Sequence, residues 1–188
     1  MFDPTTRVLS GLGMAVDCRQ SLPERLESFA TLLLAESCLS GLDNSDVARV
    51  RAFAAKGGRV VLACNAFMVG TVSKANAILE GHGLKVVDQD YGRDVTVTNL
   101  VSDKMTVGVR KLEFFRPSLV QVVDPAKGKA LAIPPSGVGG LVAVSRVEGG
   151  GEIVVLGASM WWGWLHEFES RSDNVGMMRN LLSGHRMQ

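Results

Sequence analysis

The stretch Leu42–Ala75, LDNSDVARVRAFAAKGGRVVLACNAFMVGTVSKA, decides the fold. Asp43, Asn44 and Ser45 offer side-chain oxygens to the free N–H groups that open a helix. Asp46 follows where the helix dipole favours a negative charge. Val47, Val50, Phe53 and Ala54 recur at the spacing of a single helical face. Gly57-Gly58 predicts a left-handed stop, and Lys56 places a cation in the last turn. Arg59 then leads into Val60-Val61-Leu62-Ala63-Cys64, an unbroken apolar run that suits a parallel strand buried on both faces. A turn and a second helix, Thr71 to Glu80, complete the unit.

Upstream, Thr5 to Met14 reads as a short helix weakened by Gly11 and Gly13. Ala15–Cys18 reads as a short strand, Pro23–Ser28 as a helix start, and Phe29–Ala35 as a central strand. Downstream, Leu84–Val87 is a strand. Between Tyr91 and Val123 the alternation of Val95, Val97, Asn99 and Val101 predicts short strands and loops, with an antiparallel edge. Residues 124–140 are rich in Gly, Pro and small side chains, which predicts a turn and a mobile loop. Leu141–Val147 and Glu152–Leu156 flank Glu148–Gly151 as a hairpin, and Ser172-Asp173-Asn174 caps a last helix, Val175–Leu182. The order predicts an α/β protein of three layers. It has a mostly parallel, flavodoxin-like sheet, helices on both faces and a late antiparallel hairpin, all in one domain over residues 1–188.

Composition narrows the function. The chain is 46% hydrophobic and 21% charged, as a soluble globular protein is. A net charge of +1 argues against a dedicated nucleic-acid binder. No run approaches the roughly 20 apolar residues of a membrane span. The start, MFDPTTRVLSGLG, lacks the basic and apolar regions of a signal peptide, so a cytoplasmic location is expected. Cys18, Cys38 and Cys64 are too few for a disulfide framework and lack zinc spacing. His82, His166 and His185 are equally scattered, and neither a metal nor a cofactor is expected.

Several pieces taken in order resemble one family. They are LDNSDVARVRAFAAKGGRVVLAC, Ala75–Leu79 followed by Gly83, and Thr106–Phe114 (TVGVRKLEF). EIVVLGASMWW and Asp173-Asn174 ahead of Met177–Leu182 complete the set. Together they resemble the class I glutamine amidotransferase-like domains found in gliding-motility transport and intraflagellar-transport proteins, from about Phe29 onward. The resemblance implies a flavodoxin-like sheet and, for many members, binding or scaffolding. It also implies that the fold's usual first strand is hardly visible here before Asp3, so the strand is dispensed with or comes from elsewhere, a second copy included. In the catalytic members, a strand like VVLAC ends in a nucleophilic cysteine, and Cys64 falls at that place. The family flanks this cysteine with glycines, where this chain has Ala63 and Asn65. Its base is a His two residues before a Glu. Here His166 is followed directly by Glu167, with Glu169 three residues on.

Each candidate has a plain reading beside the functional one. Cys64, at a strand end before a helix, is either an activated thiolate or a small buried hydrophobe; the missing glycines favour the second. All three tryptophans fall in Ser159–His166, after a strand, where ligands of open sheets bind. They either stack on a sugar or planar ligand and anchor a partner, or close the core or a dimer interface. Arg110, Lys111 and Arg116 read as a solvated basic face, and the Gly137–Gly140 run as a flexible loop.

The expected function is a non-catalytic ligand- or protein-binding or assembly module, using the carboxyl-end face around Asn65, Ser159, Trp161 and Trp162. A cysteine-dependent hydrolase or amidotransferase is the alternative, with Cys64 as nucleophile, His166 as base and Glu167 or Glu169 orienting it. A carbohydrate-binding module on the Trp161–Trp164 cluster is a third. The expected partners are a protein or a second copy of the chain, with a small molecule or sugar as an open option.

Overall fold

The computed structural model describes residues 6, 9–11, 13–158 and 171–183. Its elements run β1 (Thr31–Ala35), α1 (Glu36–Ser40), α2 (Asn44–Ala55), β2 (Arg59–Ala63), α3 (Thr71–Leu79), β3 (Leu84–Asp90), β4 (Val95–Val97) and β5 (Asn99–Leu100). After a 3₁₀ turn at Lys104–Thr106 come β6 (Leu112–Phe114), β7 (Ser118–Val122), β8 (Gly128–Ile133), β9 (Val142–Arg146), β10 (Glu152–Leu156) and α4 (Asn174–Leu182).

The Leu42–Ala75 unit folds as its residues dictate. Asp43 is the N-cap of α2, accepting from the Asp46 N–H at 2.8 Å, and the Ser45 hydroxyl donates to the same carboxylate. Val47, Val50, Phe53 and Ala54 are the buried face of α2. Gly57 turns the chain out at φ 95°, a conformation that glycine adopts without a steric cost. All five residues of β2 are buried.

A six-stranded sheet in the order β1-β2-β10-β9-β8-β5 forms the middle layer. β1, β2 and β10 are parallel, while β9, β8 and β5 extend the sheet antiparallel from β10. Two short pairs, β3 with β7 and β4 with β6, complete the strand set. Successive residues of β2 alternate between two cores. Val60, Leu62 and Cys64 pack with Val50, Phe53, Ala75 and Ile78 of α2 and α3. Val61 and Ala63 pack with Met177, Met178 and Leu181 of α4. Helices thus cover both faces of an α/β sheet, and β9–β10 is the late hairpin. Across the amino ends of β2 and β10, Arg59 and Glu152 form a buried ion pair at 2.7 Å. The Arg59 guanidinium also donates to the carbonyls of Leu181 and Ser183, fastening the end of α4.

Four local expectations need correction. Ala15–Cys18 forms no strand, and Pro23–Ser28 contains a bend and a turn without a helix. Phe29–Ala35 yields a shorter strand, Thr31–Ala35, which lies at the edge of the sheet instead of its centre, because only β2 pairs with it. Residues 124–140 contain β8: Asp124 gathers the turn by accepting from the Ala126, Lys127 and Gly128 N–H groups, and Gly128–Ile133 then pairs with β9. The glycines and prolines that suggested a loop flank this strand.

Candidate functional site

The carboxyl ends of β2 and β10 are where an open α/β sheet presents a ligand site. Cys64, one residue past β2, donates its backbone N–H to the Leu156 carbonyl at 3.0 Å and has no exposed surface. Its side chain belongs to the α2–α3 core. Burial pushes the thiol up to about 12, because a thiolate there would lose its hydration. At neutral pH it stays protonated. Cys38 is also shifted upward, by burial and then by the Asp46 carboxylate, and Cys18 is exposed.

Asn65 follows and is 1% exposed. Its Nδ2 donates to the Arg116 carbonyl at 3.0 Å, and its own carbonyl accepts from the Thr71 hydroxyl at 2.9 Å and from the Met68 N–H. The Ala66 N–H donates to the Ser118 hydroxyl at 2.9 Å. Ser118 in turn donates its N–H to the Gly157 carbonyl at 2.7 Å. Gly157 has no substitute here, since a Cβ would stand 2.0 Å from the Ser118 carbonyl oxygen. The loop after β2 is therefore laced to β7 and β10, which fixes its backbone.

Above this floor is an aromatic and cationic group. Phe67, 44% exposed, meets Phe115 edge to face at 6.2 Å between ring centroids. The Arg116 guanidinium carbon lies 4.9 Å from the Phe67 centroid, and its Nη2 donates to Asp90 at 2.7 Å. Arg116 has φ 37°, the one non-glycine residue in the left-handed region among the described residues, although it precedes Pro117. Asn65 Oδ1 and Arg116 Nε are buried without a hydrogen-bond partner among the described residues. Val69, 92% exposed, extends the apolar surface of the same loop.

The structure brings Asn65 and Cys64 to this end of the sheet. Ser159, Trp161, Trp162, Trp164, His166, Glu167 and Glu169 lie outside the described residues. The Arg116 side chain is 38% exposed. It pairs with Asp90, while the Arg110 and Lys111 N–H groups are held by Asp173 and the Lys111 ammonium by Glu113. Neither Phe67 nor Arg116 was singled out by sequence for this site, because Asp90, Phe115 and Phe67 converge only through tertiary contacts. A groove of about 570 Å³ lies between α3 and the β7–β8 turn. It is open, and its lining includes Glu80, Lys85, Asp124 and Lys127. Among the described residues no group of His, Cys, Asp and Glu is arranged to hold a metal ion, and no helix is long and apolar enough to cross a membrane.

No protein-family model matches this sequence, and neither does any curated protein sequence. Solved structures are alike in shape. The mmIFT52 N-terminal domain superposes with a TM-score of 0.67 at 14% identity, over 98% of this chain and 92% of that one. A cytoplasmic protein of Salmonella typhimurium LT2 gives 0.71 at 14% identity, over 98% and 86%. The exo-β-1,4-mannosidase Op5Man5 of Opitutaceae bacterium strain TAV5 gives 0.61 at 16% identity, over 96% of this chain but 30% of that one. At such identities the likeness is one of fold: an α/β architecture shared with the IFT52 N-terminal domain.

Proposed function

We propose that this chain is a non-catalytic ligand- or protein-binding module, an assembly part with an amidotransferase-like fold. It is read as one domain over residues 1–188 that works in the cytoplasm. Its working face is the carboxyl end of β2 and β10. Asn65 forms the floor, and Phe67 and Val69 are exposed above it. Ser159, Trp161 and Trp162, which follow β10 in sequence, are assigned to the same face. The observation that carries this reading is the burial of Cys64. A thiol held protonated in a dry core has no thiolate with which to attack an amide or ester. The exposed Phe67 ring, steadied by Arg116, supports binding at the same place, since aromatic and arginine side chains dominate interface anchors. The likeness to the IFT52 N-terminal domain supports the reading at the level of fold.

The test compares three proteins: the wild type, Phe67→Ser with Val69→Ser, and Cys64→Ala. Each is assayed for capture of proteins from its native extract, for binding to a glycan panel and for amide or ester hydrolysis. The expected result is a bound set lost in the Phe67/Val69 variant and kept in Cys64→Ala, with no hydrolysis by any of them. Turnover that disappears with Cys64→Ala would replace this reading with the hydrolase one.

A further inference from the structure

The chain treats the edges of its sheets unequally. β5, at one end of the six-stranded sheet, is only two residues long. The edge of β3 is plugged by Asn76, whose Nδ2 donates to the Val86 carbonyl at 3.0 Å while its Oδ1 accepts from the Val86 N–H at 2.8 Å. Short edges and capped edges resist pairing with another chain. β1, at the opposite end of the main sheet, carries no such device among the described residues. Its sequence is Thr-Leu-Leu-Leu-Ala, without charge or proline, and it pairs with β2 along its whole length without a bulge.

The phase of the ladder shows where its backbone points. The Arg59 N–H donates to the Ala30 carbonyl, so in this parallel pair Leu32 and Leu34 turn their backbone groups toward β2. Thr31, Leu33 and Ala35 turn theirs to the outer edge. The Ala35 carbonyl is taken up by the first turn of α1, which begins at the next residue. Among the described residues, nothing bonds to the outward N–H groups of Thr31, Leu33 and Ala35, or to the carbonyls of Thr31 and Leu33. These residues are only partly exposed, and the Thr31 hydroxyl is buried without a partner. Unpaired N–H and C=O groups along a strand edge are a template for pairing with another strand.

We infer that β1 pairs edge to edge with β1 of a second copy of this chain, antiparallel, about a two-fold axis at Leu33. The strand is self-complementary for that arrangement. Leu33 exchanges both of its hydrogen bonds with the partner's Leu33, and the Ala35 N–H of each copy reaches the partner's Thr31 carbonyl. No like charges meet, because the strand has none. Leu32 and Leu34 line one face and Thr31, Leu33 and Ala35 the other, so both apolar layers continue from one sheet into the next. An isologous contact of this kind closes at the dimer. The inference does not depend on the carboxyl-end reading, since it uses the side of the sheet and not its end.

The experiment is sedimentation velocity on the full chain across a dilution series, with amide hydrogen exchange read at Leu33 and Ala35 under the same conditions. The expected result is a concentration-dependent dimer in which these two amides exchange about tenfold or more slowly in concentrated than in dilute protein. Leu33→Pro, which removes the central donor, is expected to sediment as a monomer with an unchanged circular dichroism spectrum. A chain that stays monomeric at every concentration overturns the inference. So does a dimer whose Leu33 amide remains as fast as in dilute protein, because its interface then lies elsewhere. Protection of Leu33 that is equally strong in monomeric protein also overturns it, by showing the edge closed within one chain. The exchange readout decides the matter even where Leu33→Pro fails to fold.

Discussion

The side-chain amide of Asn65 donates to the backbone carbonyl of Arg116 at 3.0 Å, tying the loop after β2 to the turn that enters β7. Both residues also carry a buried atom without a hydrogen-bond partner among the described residues, Asn65 Oδ1 and Arg116 Nε, and Arg116 holds a left-handed backbone. Strain and unpaired polar atoms are thus gathered at one end of the sheet.

Asn65→Ala removes the tie and leaves the Arg116 carbonyl without its donor. Urea unfolding should report a loss of about 1–3 kcal/mol, the cost of one unsatisfied buried group. The Phe67–Phe115 contact should loosen at the same time, visible as line broadening of the two rings by NMR. An unchanged unfolding midpoint would mean that the loop is held by Thr71 and Ser118 alone.

The Arg59–Glu152 pair contributes to the acid sensitivity of the fold. Burial raises the Glu152 carboxyl, but hydrogen bonds from Lys104 and Arg59 and their charges outweigh it, so its pKa is lowered on folding. A carboxylate with a lowered folded pKa adds stability above its unfolded value, and that stability is lost as the pH falls through the folded one. Melting temperature should therefore fall below the ordinary carboxylate range, near pH 4 and under. In Glu152→Gln the acid dependence should shrink. That variant should also lose about 3–5 kcal/mol at neutral pH, because Arg59, 1% exposed, keeps its charge without a buried counter-ion. A Glu152→Gln protein as stable as the wild type would show that the carbonyls at the end of α4 suffice for Arg59.

Asn76→Ala uncaps the edge of β3 at Val86. Two hydrogen bonds are lost, and about 1–3 kcal/mol of stability should go with them. Light scattering on warming should begin at a lower temperature than unfolding alone explains, since a bare edge recruits other strands. Scattering that tracks the unfolding curve would show that the cap serves stability only.

The Leu42–Ala75 unit was legible because each of its signals is local. A cap at Asp43, a periodic face and a glycine stop act within a few residues of one another. β8 was hidden because the glycines and prolines at its ends outweighed its short apolar run, although its pairing partner β9 is the next strand in the chain. The edge position of β1 was equally out of reach, since an apolar strand reads alike whether one neighbour or two pair with it. At the carboxyl end of the sheet, the position of Asn65 could be read from its place after a strand. Those of Arg116, Phe67 and Asp90 could not, because a cation over a ring and a pair across the chain leave no spacing to read.

The most direct test of the non-catalytic reading is alkylation of Cys18, Cys38 and Cys64 as a function of pH, resolved by mass spectrometry on the folded protein. Cys18, which is exposed, should react first, and Cys64 should stay inert across the neutral range until denaturant is added. Rapid labelling of Cys64 in the folded protein, with an apparent pKa below the roughly 8.5 of a free thiol, would contradict the account and make that sulfur a nucleophile.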